Sequence, residues 1–326
     1  MILRAMRIFT DARCLEHRAP RGYPEQPERL AAVIAHLEAR GWPLERSGVA
    51  REVAVSAVSS IHDPEYVERF RRAAVRGDAL LDSADNPLSD GTWDAAWAAV
   101  EATLAAAEWA ASSPGARAFA AVRPPGHHAE RALAMGFCFF NNAAIAAEHC
   151  RHHLGCDRVA IFDFDVHHGN GTQHLFEDRA DVLYASTHQF PFYPGTGAAG
   201  EVGLGAGRGA TLNVPLPAGT GDAGYAEAIE GQILPALRAF RPDILVISAG
   251  FDAWRSDPLG GMAVTEEGFA AWGRQLASLA DEVCSGRLLA VMEGGYDLAH
   301  LPRLVDRFLS AAAGEPPRAP LSPGAD

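Results

Sequence analysis

The sequence predicts an α/β fold class: a single three-layer α/β/α domain around a mostly parallel central sheet. Three observations predict it. Short β-branched or apolar runs alternate with amphipathic or Ala-rich helical stretches, which favours parallel strands covered on both faces. Polar clusters follow five of the strand candidates at their carboxyl ends, where an open parallel sheet gathers a ligand site. No internal repeat and no Ser/Gly- or Pro-rich linker divides the chain, so its 326 residues, about twice the usual single-domain length, are read as one domain. That domain spans 1–313, and 314–326 (GEPPRAPLSPGAD) form a Pro-rich polar tail.

The elements follow in order. Residues 6–10 are a short apolar strand, and 92–111 an Ala-rich helix. Strand 118–122 leads into RPPGHH, and 142–153 is a second helix. The apolar run 158–164 is a buried strand that ends in DFDVHHGNG. Strand 181–186 ends in STH, and 189–208 forms a long Gly/Pro loop. Strand 210–214 and the amphipathic helix 225–239 come next. Strand 243–248 runs into SAGFD; after helix 266–284, strand 287–292 runs into EGGYD.

Composition narrows the function. Lys+Arg 28 against Asp+Glu 41 leaves a net charge of −13, a surface that repels nucleic-acid phosphates and anionic lipids and suits cationic ligands. Every Lys+Arg residue is arginine, a compositional bias with no functional message of its own. The cysteines Cys14, Cys138, Cys150, Cys156 and Cys284 are odd in number and form no CxxC pair. A disulfide framework or cysteine-zinc site is therefore not expected, and a reducing cytoplasm is. The N-terminus lacks the pattern of a secretory signal, and no apolar run reaches the roughly 18 residues of a membrane span.

The strongest local signal is Asp163-Phe-Asp165-Val-His167-His168-Gly-Asn170-Gly. On an extended strand, residues two apart share a face, so Asp163, Asp165 and His167 point together while Phe164 and Val166 enter the packing. A catalytic zinc takes three protein ligands and keeps one position open. Asp252, just past a strand, is the third candidate beside Asp165 and His167. The mixed oxygen and nitrogen donors fit zinc, and Fe²⁺ or Co²⁺ can occupy the same set. The bland alternative makes the aspartates turn caps and His167 a packed histidine. It is the weaker reading, because two aspartates and two histidines at one strand end are costly to bury without a cation.

His127 and His128 follow two prolines and a glycine, a rigid turn able to aim both rings at one place. With RPPGHHA, GFCFFNN, DFDVHHGNGTQ, SAGFDAWRSDPLGG and EGGYDL in this order, the chain resembles the histone deacetylase superfamily, in its bacterial class II-like branch of deacetylase-like and acetylpolyamine amidohydrolases. The resemblance runs from about residue 20 to about residue 304 and implies an arginase/deacetylase-like fold. It makes Asp165, His167 and Asp252 the ligands of one Zn²⁺, and His127 and His128 the catalytic pair. Asp163 stands behind the first histidine and Asn170 behind the second, where class I relatives carry Asp. A carboxylate favours the imidazolium of His127, whereas a neutral amide gives His128 no such bias. His128 is thus the expected general base and acid, and His127 the charged support.

The resemblance also makes Tyr296 the donor to the developing oxyanion. It sets Gly136, Phe137 and Tyr193 along the substrate tunnel; relatives usually carry Phe where Tyr193 stands, so the tyrosine adds a polar edge. Leu259 falls where polyamine-specific relatives place an acidic gatekeeper, which favours an acyl-lysine peptide or another small N-acyl amine as the substrate. A structural K⁺ is implied at the Asp163 carboxylate, the main-chain oxygens of Asp165 and His167, and the Ser186 hydroxyl. His17, Tyr23 and Glu25 either line the entrance or form a packed turn. The expectation is a cytoplasmic zinc deacetylase with no nucleic-acid or membrane partner. The alternatives are an acetylpolyamine deacetylase, a binuclear manganese ureohydrolase using Asp257, and a non-catalytic acyl-amine sensor.

Overall fold

A computed structural model describes residues 6–46 and 48–315. Among them, eight strands form one sheet: β1 (Met6–Phe9), β2 (Leu44–Glu45), β3 (Arg117–Ala120), β4 (Val159–Asp163), β5 (Val182–Gln189), β6 (Thr211–Leu216), β7 (Ile244–Ala249) and β8 (Leu288–Met292). Their order is β2-β1-β3-β8-β7-β4-β5-β6, and every neighbouring pair is parallel. All residues of β3, β4, β5, β7 and β8 are buried. Strands covered on both faces need no polar alternation, which is why β4, β7 and β8 are nearly continuous apolar runs.

The helices are α1 (Pro27–Ala39), α2 (Arg51–Ile61), α3 (Pro64–Arg76), α4 (Thr92–Ser112), α5 (Asn142–His153), α6 (Asn170–Phe176), α7 (Asp222–Ala228), α8 (Leu234–Phe240), α9 (Glu266–Val283) and α10 (Leu301–Ala313). One layer packs α2, α4 and α5 together, and the other packs α9 and α10 with α1. The Asn141 side chain caps α5 by accepting the Ala144 N–H at 3.0 Å. The fold class is the one expected, and parallel pairing holds throughout the sheet.

Two local expectations need correction. The expected helix 225–239 is two α segments, α7 and α8, joined by a π-helical turn at Ile229–Ile233. Pro235 has no N–H to give to a carbonyl one turn back, so the regular ladder cannot run through it. The strand expected to carry Asp163, Asp165 and His167 on one pleat ends at Asp163. Beyond it, side-chain acceptors replace ladder partners: Asp165 N–H donates to Asp163 Oδ1 at 3.1 Å and His167 N–H to Asp165 Oδ1 at 2.9 Å. Phe164 and Val166 still enter the core, Phe164 against Phe251, Trp272 and Phe308 with ring centroids 5.9, 5.1 and 5.4 Å apart. At the other end of the chain, α10 stops at Gly314, whose φ of 73° supplies the left-handed cap. The rest of the expected tail, 316–326, lies outside the described residues. No helix among the described residues is long and apolar enough to cross a membrane.

Candidate active site

Parallel strands end on one edge, so the five polar clusters meet there. Register sets Asp163 beside Ser186 on β5 and Ser248 on β7. Next to it, one donor atom each of Asp165, His167 and Asp252 lies within 4.8 Å of the others. His167 Nδ1 stands 3.1 Å from Asp165 Oδ1 and 3.2 Å from Asp252 Oδ2. Backbone donors aim the carboxylates: Gly294 N–H meets Asp165 Oδ2 at 2.8 Å, and Val166 N–H meets Asp252 Oδ1 at 2.9 Å. Any Cβ at Gly294 would sit 2.1 Å from Asp252 Oδ2 and 2.6 Å from Asp165 Oδ2, and one at Gly250 would sit 2.1 Å from Asp165 Oδ2. Only glycine fits either position.

Asp252 Oδ2 is buried yet accepts no hydrogen bond, an arrangement that a cation would complete. Burial, with Asp165 close by, pushes Asp252 up to about 6. Burial opposes charge on His167, but the Asp165 and Asp252 carboxylates overcome it and pull the ring up to about 10. The trio therefore draws positive charge to one spot, where a proton and a metal compete. Two carboxylates and an imidazole are a donor set that suits zinc, and His167, 12% exposed in its side chain, faces the open side.

His127 and His128 lie directly beside this trio, their ring centroids 4.0 Å apart. His127 Nδ1 donates to Asp163 Oδ2 at 3.0 Å. Burial works against charge on His127, yet the Asp165 and Asp163 carboxylates outweigh it and lift the ring to about 10. His128 Nδ1 meets Asn170 Oδ1 at 2.7 Å, while Asn170 Nδ2 donates to Glu130 Oε1 at 2.5 Å. The Glu130 carboxylate fixes which way the amide points, so His128 carries its proton on Nδ1 and keeps Nε2 as the basic atom. Burial, reinforced by the charges on His127 and His167, drives His128 well below the ordinary histidine range. One imidazole is built to hold a proton and the other to be without it.

Two acids outside the expected set hold this machinery in place. Glu293 Oε2 accepts the N–H groups of Gly126 and His127 at 2.6 and 3.2 Å, fixing the turn that aims the histidines. Asp257 Oδ2 accepts Tyr296 N–H at 2.7 Å, and its Oδ1 accepts Leu259 N–H at 2.9 Å. Asp257 is thus a strut between the Leu259 loop and the Tyr296 loop. Arg29 completes the support, donating to the carbonyls of Glu293 and Gly295, each at 2.6 Å, with its guanidinium 4.6 Å from the Tyr296 ring centroid. Its partner Glu25 is also gripped by Arg123 at 2.9 and 2.7 Å. Burial would raise Glu25, but the Arg123 charge overrides it and brings the carboxyl down to about 2. His17 and Glu25 are therefore buried packing, not entrance lining.

The expected tunnel residues flank the histidines. Gly136 (φ 58°) touches His128 so closely that a Cβ would sit 2.3 Å from its ring. Phe137 meets Tyr296 and Tyr23 edge-on at 5.9 and 5.4 Å. Phe192 stacks on His167 at 5.3 Å and Tyr193 presents its ring to His128 at 5.1 Å. Leu259 is half-buried and anchored through its backbone. The Ser186 hydroxyl, beside Asp163 in register, is bonded to His188 Nδ1 at 2.9 Å. Glu130, Glu293, Asp257 and Arg29 were not assigned these roles from the sequence. Glu293 and Asp257 do lie inside the quoted motifs, whereas Glu130 and Arg29 carry no spacing signal.

Comparison with known proteins sets the chain among deacetylases. The histone deacetylase domain family matches residues 23–312. A probable deacetylase of Archaeoglobus fulgidus is 39% identical over 304 residues, covering 92% of this chain and 84% of the relative. The crystal structure of the HDA15 HD domain superposes with a TM-score of 0.87 at 35% identity, covering 97% of this chain and 90% of that one. An acetylpolyamine aminohydrolase from Burkholderia pseudomallei gives a TM-score of 0.83 at 33% identity, over 94% of this chain and 98% of that one.

Proposed function

This chain belongs to the histone deacetylase family, and from that premise we propose that it is a zinc-dependent deacetylase acting on acyl-lysine. The coarse class, a deacetylase-like amidohydrolase, follows from the family. The observation that carries the finer reading is the trio Asp165, His167 and Asp252, with its unbonded Asp252 oxygen, set beside two imidazoles of opposite proton affinity.

Those three residues would hold the zinc, which when bound supplies Lewis-acid polarisation of an acyl carbonyl and acidifies a water. His128 Nε2 takes a proton from the attacking water and returns one to the leaving amine. Asn170 holds His128 in the tautomer that this needs. His127, kept charged by Asp163 and Asp165, and the Tyr296 hydroxyl stabilise the oxygen that becomes negative. Gly136, Phe137, Tyr193 and Leu259 orient the acyl-amine chain. The Asp163 carboxylate, the main-chain oxygens of Asp165 and His167, and the Ser186 hydroxyl would hold a potassium ion, a reading supported by the Asp163–Ser186 register. Five unbridged cysteines accord with a reducing cytoplasm.

Acetylpolyamine is the second substrate reading, favoured by the aminohydrolase neighbour and the −13 charge; neutral Leu259 favours acyl-lysine. A binuclear ureohydrolase has less support, since Asp257 lies outside the one cluster of possible metal ligands among the described residues, Asp165, His167 and Asp252. The test is a fluorogenic acetyl-lysine assay beside longer acyl-lysines and an acetylpolyamine, before chelation, after it, and after return of Zn²⁺, Fe²⁺ or Co²⁺. Acetyl-lysine hydrolysis should fall to background on chelation and recover best with Zn²⁺. Undiminished turnover by chelated protein overturns the metal reading, and faster acetylpolyamine turnover moves the assignment to the second substrate. Urea release from arginine with two ions per chain would mark a ureohydrolase.

A further inference from the structure

The aromatic residues expected to wall the mouth of the substrate tunnel belong to separate loops. Phe137 lies in one, after Ala134, Met135 and Gly136; Phe192 and Tyr193 lie in the other. A third loop, between α3 and α4, touches both. Its Asp82 Oδ2 accepts Ala134 N–H at 2.9 Å, and its Asp85 Oδ2 accepts Gly136 N–H at 3.0 Å. Ser83 Oγ reaches the Ala134 carbonyl at 3.3 Å and also bonds Asp85 Oδ1. The Phe137 wall is thus fastened to this loop by several bonds. On the opposite wall, the Tyr193 hydroxyl donates to the same Asp85 Oδ2 at 2.9 Å. Tyr193 is 40% exposed, so packing alone does little to fix its position.

We propose that Tyr193 and Asp85 form a clasp across the mouth that fixes the distance between its aromatic walls and so selects substrates whose chain on the amine side is slim and unbranched. This rests on the amidohydrolase reading and names a specificity determinant for it. One carboxylate oxygen receives a donor from each wall, so neither wall can move away without breaking a charge-assisted hydrogen bond. A thicker amine-side chain between Phe137 and Tyr193 has to part the walls and forfeits that bond; the methylenes of a lysine side chain do not. Phenylalanine at 193 keeps the ring against His128 but leaves its wall untied.

The test compares wild type with Tyr193→Phe and Asp85→Asn in two measurements. In the first, the ratio of kcat/KM for Nε-acetyl-lysine over an N-acetyl amine with a branched or aromatic chain should fall about tenfold in Tyr193→Phe, the scale of one hydrogen bond to a charged group. An unchanged ratio overturns the selectivity role. In the second, amide hydrogen exchange followed by mass spectrometry should quicken over 190–197 in Tyr193→Phe, and over both 132–138 and 190–197 in Asp85→Asn. Unchanged exchange over 190–197 in both variants overturns the clasp itself. Wild-type protein inert toward every acyl amine would sink the amidohydrolase reading and the selectivity role with it, and exchange would still decide the clasp.

Discussion

At the scale of single residues, Asn170 shows how a neutral group can govern a titration. Its amide, oriented by Glu130, gives His128 an acceptor without a charge, so burial and the charges on His127 and His167 still hold His128 well below the ordinary histidine range. A base that is unprotonated at neutral pH leaves only a shallow loss of activity toward mildly acidic pH. Asn170→Asp would put a carboxylate 2.7 Å from Nδ1 and favour the imidazolium. The variant also faces Glu130 with a second negative charge, which strengthens the pull for a proton. We expect the acidic limb of its kcat/KM profile to move up by about one pH unit or more, with activity at pH 6 falling most. A pH–rate series on both proteins checks this, and coincident acidic limbs would remove His128 as the base. The sequence made Asn170 legible because the residue lies inside a motif with fixed spacing. Glu130, which orients it, directly follows the paired-histidine motif without being part of it, and only the fold brings that carboxylate to the amide.

At the scale of elements, the site depends on how helix ends and strand ends are tied. His62 closes α2, its N–H donating to the Val58 carbonyl at 2.8 Å. Its ring spans two further segments: Nδ1 lies 2.9 Å from the Glu130 carbonyl, and Nε2 accepts Asn141 N–H, at the cap of α5, at 3.0 Å. A ring donating at one nitrogen and accepting at the other must be neutral. Burial, against the pull of backbone carbonyls, brings it from 6.5 down to about 4. As pH falls below 6.5 the unfolded chain takes the proton first. Stability present above 6.5 is therefore lost progressively until about pH 4, at about 1.4 kcal/mol per pH unit. His62→Gln keeps a donor and an acceptor but does not titrate. Urea unfolding between pH 7 and 5 should show the wild type losing stability more steeply by about that slope, and equal slopes would mean that His62 titrates normally. The end of β4 is where strand periodicity misleads: the alternation of Asp163, Asp165 and His167 survives because Asp163 and Asp165 accept the N–H groups two residues on. The pattern was legible; its mechanism was not. Helix 225–239 fails for a smaller reason, since apolar spacing carries no sign of the π turn before Pro235.

On the scale of the whole molecule, the strand–helix alternation was enough to give a parallel sheet with its chemistry on one edge, because that consequence follows from chain direction alone. The strand order β2-β1-β3-β8-β7-β4-β5-β6 was not legible, since it depends on which apolar faces meet after long crossovers. β2, two residues long, is too short for any periodicity. Charge behaves differently from both: it is fully legible in the sequence, and its effect does not depend on register. A net charge of −13 survives the local pairing of arginines with acids, such as Arg69 with Asp82 near the mouth, because acids outnumber bases. Such a field attracts cationic substrates over distances set by salt, about 30 Å at 0.01 M but only about 8 Å at 0.15 M. A polycationic acetylpolyamine should therefore lose up to about tenfold in kcat/KM between those ionic strengths. An acetyl-lysine peptide of zero net charge should change little, since it feels no net force from the same field. Running both substrates across a salt series separates steering by the field from recognition inside the tunnel. Parallel salt dependences would mean that the negative surface does not reach the mouth, and the −13 charge would then no longer favour a polyamine.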